Sequence, residues 1–265
     1  MKSTPWHSRF ALVLALLLPV YFAIAALGTK FGLWPWQVGL GSLVIGAAPF
    51  LLGVVALVAL VSLILAVRKA PRTGWLFSLV GLVLPIGIFA MLAGVGTTAG
   101  ENPIHDVATD TANPPVFSEA TMAARSAIEA NPVSDYATPL GEIEWWADKT
   151  SDELKSKTHA QIVGELYPDL ASLPTGSVDK SAAIAAIEAG MADIGLTAIT
   201  ADAASGTVEG VAETFWFGFK DDVVARVGDG VIDFRSVSRV GVSDLGANSA
   251  RIEELRAAVE AQLAQ

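Results

Sequence analysis

The chain has 265 residues, and its charge is split unevenly: residues 1–100 hold six basic residues and no Asp or Glu, while 101–265 hold all 27 acidic residues against 11 basic ones. A soluble hundred-residue segment normally carries ~25% charged residues, so this composition excludes a plain soluble enzyme and a nucleic-acid binder. There is no cysteine, which excludes disulfides, thiol catalysis and Cys-type zinc sites.

Three charge-free apolar runs come first, at about 10–27, 41–67 and 75–95. Each is long enough to cross a hydrocarbon core of ~30 Å at ~1.5 Å per residue. Pro19, Pro49 and Pro85 fall inside them, which membrane helices tolerate. Lys2 and Arg9 precede the first run, Arg68, Lys69 and Arg72 lie between the second and third, and Lys30 alone lies between the first and second. That bias puts the N-terminus in the cytoplasm, and three crossings export the C-terminal part. Trp34 and Trp36 in the outer loop, with Trp6 and Trp75 at inner span ends, form an aromatic belt. A competing reading makes residues 1–25 a cleaved signal peptide, with Ala23-Ile24-Ala25 as the small-x-small site. The run is longer than a usual signal core, so a retained helix is favoured. The expected organisation is a membrane domain over 1–100 and an exported domain over 101–265.

Gly94 to Gly100 reads as a small-residue exit linker. Residues 101–107 then read as a turn and a short extended piece, stopped by Asn113-Pro114-Pro115. Ser118 is a cap for a helix through Ala130. Thr150-x-x-Glu153 and Thr158-x-x-Gln161 have the capping-box pattern, and Tyr167-Pro168 ends the element begun at Thr158. Ile184, Ile187, Met191 and Ile194 recur at helical spacing and predict a helix over about 178–194, stopped by Gly195. Four strands come next: 196–201, 207–215, 222–227 and 231–238. A last helix spans about 249–263, with Asn248 as its N-cap and Ile252, Leu255, Val259 and Leu263 inward. The fold class is therefore α+β: three N-terminal transmembrane helices, then a four-strand antiparallel meander flanked by helices, with one sheet face covered.

If Asp229-Gly230 is a two-residue hairpin turn, Arg226 lies opposite Asp233 and Asp222 opposite Val237, diagonal to Arg235 and Arg239. Side chains alternate along a strand, so these charges share one face, and Val223, Ala225, Val227, Ile232 and Phe234 share the other. Asp222, Arg226, Asp233 and Arg235 form a salt-bridge lattice on this reading.

The segments 102–110 and 113–117 are distinctive, as are 217–226 and 231–248. On them the C-terminal part resembles the bacterial and plastid family catalogued as domain of unknown function fourteen ninety-nine. The resemblance covers most of 101–265. It implies fold and context but no chemistry, and the membrane half matches only as a frequent N-terminal companion.

His105-Asp106 with Asp110 has the residue types of a metal or acid/base site; the other reading is a histidine that holds the start of the domain by hydrogen bonds. His7 in the N-terminal tail and His159 in an ordinary polar stretch are poor partners for it. Asp221, Asp222, Arg226, Arg235, Arg239, Asp244 and Arg251 have the types to bind an anion, but nearly balanced signs favour internal pairing. Ser236, Ser238 and Ser243 lack a nucleophile elbow, and no phosphate-binding glycine loop is present. Phe215-Trp216-Phe217-Gly218-Phe219 reads first as packing, although an exposed part would dock lipid or a partner.

These readings favour a non-catalytic envelope protein whose periplasmic domain binds a protein, lipid or glycan. No cofactor or metal is expected, and the expected partners are the lipid bilayer and an unknown envelope protein, lipid or glycan, with no nucleic acid. Ligand binding is assigned to His105, Asp106, Arg239, Asp244 and Asn248, gathered where the start of the domain meets Ser238–Asp244, at element ends where binding residues collect. The alternative is a membrane-anchored hydrolase or metal-dependent enzyme using His105, Asp106 and Asp110. A transporter is disfavoured, because no span carries an ionisable residue.

Overall fold

The structure, a computed structural model, describes residues 4–264. It divides into two compact units, residues 1–97 with Thr214–Gly218, and residues 98–213 with 219–265.

The first unit is helical. Helix α1 spans Trp6–Lys30, a π-helical segment Gln37–Ala47 leads into α2 at Ala48–Arg68, and α3 spans Trp75–Glu101. All three are long and apolar enough to cross a membrane, with mean hydropathy of 2.6, 3.1 and 2.5. Pro49 falls where the π-helical segment passes into α2, inside a continuous helical run from Gln37 to Arg68, a proline position that membrane helices tolerate. Large apolar side chains point outward along the helices, with Phe50 78%, Leu57 61% and Val83 59% exposed. Apolar surface of this extent is compatible with a lipid environment. Small residues draw the helices together: Ala11, Ala15, Ala48, Ala59 and Ser62 are buried. Polar groups link them as well. His7 Nδ1 meets Ser62 Oγ at 2.7 Å, Ser62 meets Ser78 at 2.8 Å, and Ser78 donates to Ser8 at 3.0 Å. His7 is thus part of α1 and engaged with α2, not a residue of a free tail. Nor is Gly94–Gly100 a linker. No proline falls in residues 94–100, and α3 continues unbroken through them to Glu101.

The second unit is built on one antiparallel sheet. Strands β3 (Thr197–Asp202), β4 (Thr207–Glu213), β5 (Lys220–Val227) and β6 (Val231–Ser238) form the expected meander. Two short strands extend it to six: β1 (Asp106–Ala108) and β2 (Leu173–Pro174) both pair with the outer edge of β6, giving the order β1-β6-β5-β4-β3. The β5–β6 register pairs Arg226 with Asp233 and Asp222 with Val237. The turn is the one deduced from the sequence: Gly228 N donates to Val231 O at 2.9 Å, and Gly230 takes φ 72°.

Helices α7 (Lys180–Asp193) and α8 (Ala247–Leu263) cover the apolar sheet face. Ile184, Ile187 and Met191 from α7 and Ile252, Leu255 and Val259 from α8 meet Val208, Val223, Ala225, Ile232 and Phe234 in the core. Shorter helices α4 (Glu119–Ala127), α5 (Glu144–Ala147) and α6 (His159–Leu166) precede α7. Ser118 caps α4, and Thr158 and Gln161 close a capping box on α6. Thr150-x-x-Glu153 caps nothing: residues 152–156 form turns.

The charged sheet face is covered too, contrary to the one-face expectation. The stretch 110–134, including α4, lies across it, and Phe117 and Val133 pack on Val224 and Val237. Glu209 of β4 accepts hydrogen bonds from Ser118 N, Ser118 Oγ and Thr121 Oγ1. An alternating polar row looks like a solvated face in sequence. Here it is polar because charged groups on the covering layer pair with it.

Candidate functional site

The C-terminal motif, the start of β1 and the first turn of α8 converge. Ser238 N donates to His105 O at 2.8 Å, and Asp244 N donates to Ile104 O at 3.0 Å. His105, Asp106, Asp244 and Asn248 are therefore neighbours, and all are buried.

Asp106 is the centre of the charged layer. It is fully buried, and Arg235 grips it bidentately, Nε to Oδ1 at 2.9 Å and Nη2 to Oδ2 at 2.7 Å. Tyr136 Oη donates to Oδ1 at 3.0 Å and Ser134 N to Oδ2 at 2.8 Å. Burial alone would raise its pKa, but the Arg235 charge and these donors hold it down at about 2. The carboxylate is held in its ionised form at neutral pH with both oxygens occupied, so it is an anchor and a poor general base. Arg235 also donates to Pro115 O and Ser134 O, so its main partner is Asp106, not a carboxylate of the β5–β6 lattice.

His105 and His159 flank Trp146. The His105 ring stacks on Trp146 with centroids 5.1 Å apart, and His159 lies 5.9 Å from Trp146 and 4.7 Å from Tyr136. His105 Nε2 donates to Pro132 O at 3.0 Å, and His159 Nε2 donates to Asp106 O at 2.6 Å. Carbonyl partners assign both rings the Nε2–H tautomer. Among the described residues, neither Nδ1 atom has a hydrogen-bond partner. Burial, against the opposing pull of Asp106, pushes His105 down to about 4 and lowers His159 as well. His159 is thus a buried member of the cluster, contrary to the polar-stretch reading. The adjacent Trp145-Trp146 pair is a sequence feature that marks an aromatic seat here, and it was not among the expected site residues. Tyr136, Ser134 and Arg125 carried no such signal.

Arg239 turns to a different partner. It holds Asp222 bidentately at 3.0 and 2.6 Å, and Arg125 from α4 grips the same carboxylate. Arg125 also donates to Asn131 O at 2.7 Å. Arg226 pairs with Asp233 at 2.7 Å and Asp110 at 3.1 Å. Asp110 also accepts from Ala112 N and Asn113 N. His105, Asp106 and Asp110 therefore keep separate partners. Among the described residues no three His, Asp or Glu side chains are placed to share a metal ion.

Asn248 is not the N-cap of α8. Gly246 occupies that position with φ 80°, and Asp244 accepts from Gly246 N at 2.8 Å and Asn248 N at 3.1 Å. The displaced Asn248 side chain is buried as a bridge. It donates to His105 O at 2.9 Å and Ser238 Oγ at 3.0 Å, and accepts from Ser236 at 2.6 Å and Arg251 at 2.7 Å. Arg251 continues to Asp221 at 2.7 Å. Burial raises Asp244 to about 6, against the two N–H donors.

A family model described as "Protein of unknown function (DUF1499)" matches residues 106–259, over half of the chain. The chain belongs to the DUF1499 family. The matched region runs from Asp106 into α8 and takes in Asp106, Arg239, Asp244 and Asn248 of this DUF1499 site, while His105 lies one residue before it. Neither a curated protein nor a solved structure matches the chain.

Proposed function

We propose that this DUF1499 protein is a multi-pass protein of the bacterial inner membrane that presents its α+β domain to the periplasm, where the domain binds an envelope protein, lipid or glycan and catalyses nothing. One observation carries the non-catalytic reading: Asp106, Asp222, Asp233 and Asp221 are each held by an arginine. A working acid or base needs a pKa near the operating pH and access to substrate; Asp106 at about 2 and 0% exposed has neither. The orientation rests on the basic-residue bias of the short loops.

His105, Asp106, Arg239, Asp244 and Asn248 serve binding from beneath on this reading. Asp244 lies in the loop from Val240 to Leu245 and ties it to Ile104 O and Asn248 N, Arg239 borders the loop at the end of β6, and His105 and Asp106 fix the strand beside it; Leu245 of the loop is exposed with φ 59°. The loop surface meets the partner. The test is a photocrosslinking residue at Leu245 in the full-length protein in its own membrane, compared with one at Ala204 in the β3–β4 turn. A discrete adduct at Leu245, absent at Ala204 and lost with Arg239→Gln, is expected. Identical patterns at both positions overturn the binding surface. Hydrolysis of an envelope ester or glycan by the purified protein, lost in Asp106→Asn while the fold persists, favours the enzyme alternative on His105, Asp106 and Asp110.

A further inference from the structure

We propose that Phe215 and Trp216, at the tip of the β4–β5 connection, are a membrane-interface anchor that enters the headgroup region of the bilayer crossed by α1–α3. The proposal rests on the reading that these helices span a membrane.

Sheet register carries the argument. Helix α3 ends at Glu101 and β1 begins at Asp106, so the chain arrives from the last span with almost no slack. Asp106 pairs with Val237 on β6, Ser238 of β6 pairs with Asp221 on β5, and Asp221 pairs with Ala212 on β4. These residues mark one end of the sheet. The last β4–β5 pair, Glu213 with Lys220, lies at that same end. The connection between them therefore projects from the end at which the chain arrives from the membrane. Neighbouring strands are about 4.8 Å apart, so the tip lies roughly 10–15 Å to the side of β1. The β3–β4 and β5–β6 turns leave from the opposite end.

The chemistry of the tip matches a lipid interface. Residues 214–219 carry no charge. Phe215 is 71% and Trp216 55% exposed, in an edge-to-face pair with centroids 5.2 Å apart. Gly218 N donates to Thr214 O at 3.2 Å, and Gly218 has φ 66°, so the connection is a closed turn with its two large rings outside. An amphipathic indole beside a phenyl ring is the side-chain pair that collects at the boundary between headgroups and acyl chains. A protein partner would use the same rings, but the position at the tethered end favours lipid.

The absence of cysteine makes the test direct. Spin labels are attached to Trp216→Cys, Leu57→Cys and Ala204→Cys variants of the full-length protein in liposomes of phosphatidylethanolamine and phosphatidylglycerol. Collision with oxygen and with a water-soluble nickel chelate reports depth. The expected result is a positive, oxygen-dominated depth parameter at 57, the negative value of a water-exposed label at 204, and a value at 216 clearly between the two. A label at 216 that behaves like the one at 204 overturns the anchor. A label at 216 sheltered from both reagents overturns it in favour of protein contact. A water-like label at 57 instead removes the membrane-spanning reading beneath the proposal.

Discussion

Arg226 and Asp233 face each other across the β5–β6 hairpin at 2.7 Å, and Asp110 reaches the same guanidinium from the covering layer at 3.1 Å. The pair is more enclosed than a surface ion pair: Asp233 is 7% exposed and Arg226 22% by side chain. An exposed pair contributes ~0–1 kcal/mol, and hydrogen bonds to charged groups about 1.5–3. Arg226→Ala should therefore cost roughly 1–3 kcal/mol in urea denaturation of the detergent-solubilised protein. A cost within error of zero would mean the covering layer does not hold this face.

Asp106 and Arg235 should show a larger effect. Asp106→Asn strands a buried guanidinium, at a cost of about 3–5 kcal/mol. Adding Arg235→Met should recover part of that. Recovery stays incomplete because an amide keeps only one acceptor oxygen, so either Ser134 N or Tyr136 Oη is left facing an NH2 group, at about 1–3 kcal/mol. Additive single costs in the double variant would show that the two residues are not coupled.

Acid stability depends on two opposing groups. His105 has its folded pKa lowered from 6.5 to about 4, so the unfolded chain takes up a proton first and stability falls as pH drops through that window, by about 3 kcal/mol. Asp244 has its folded pKa raised from 3.8 to about 6. Its contribution is fully present below the unfolded value and is lost as pH rises to 6, again about 3 kcal/mol. The two nearly cancel, and His159, also lowered, tips the balance toward acid loss. Asp244→Asn removes the compensation. Its melting temperature should fall much more steeply than the wild type between pH 6 and 4, and parallel curves would refute the assignment.

Arg239 and His105 should separate on substitution. Asp222 keeps Arg125 when Arg239 becomes Gln, so that variant should fold and lose only the loop's partner. His105→Gln loses the stack on Trp146 and should cost about 2 kcal/mol. Thermal melting with the Leu245 crosslink as second readout tests this. Unfolding of both variants would make the motif purely structural.

Orientation is tested in cells. A reporter that fluoresces only in the cytoplasm, fused after Gln265, should stay dark. Bright cells would reverse the basic-loop argument.

The sequence by itself determined the features set by local periodicity and composition. Charge-free runs around Leu18, Val55 and Ile86 predict three apolar helices, because length and composition alone decide whether a helix suits a hydrocarbon core. The Asp229-Gly230 turn dictated the Arg226–Asp233 register, because a two-residue turn leaves one pairing. Ser118 and Thr158 marked helix starts through their own hydroxyls. Tertiary structure alone decided the rest. Asp106 finds Arg235 across 129 residues, Asp222 finds Arg125 across 97, and His159 reaches the Asp106 carbonyl across 53. No local pattern encodes such partners. A charged strand position reads the same whether water or a covering layer satisfies it, so the second buried face and the inward role of Asn248 emerged only once the chain was folded.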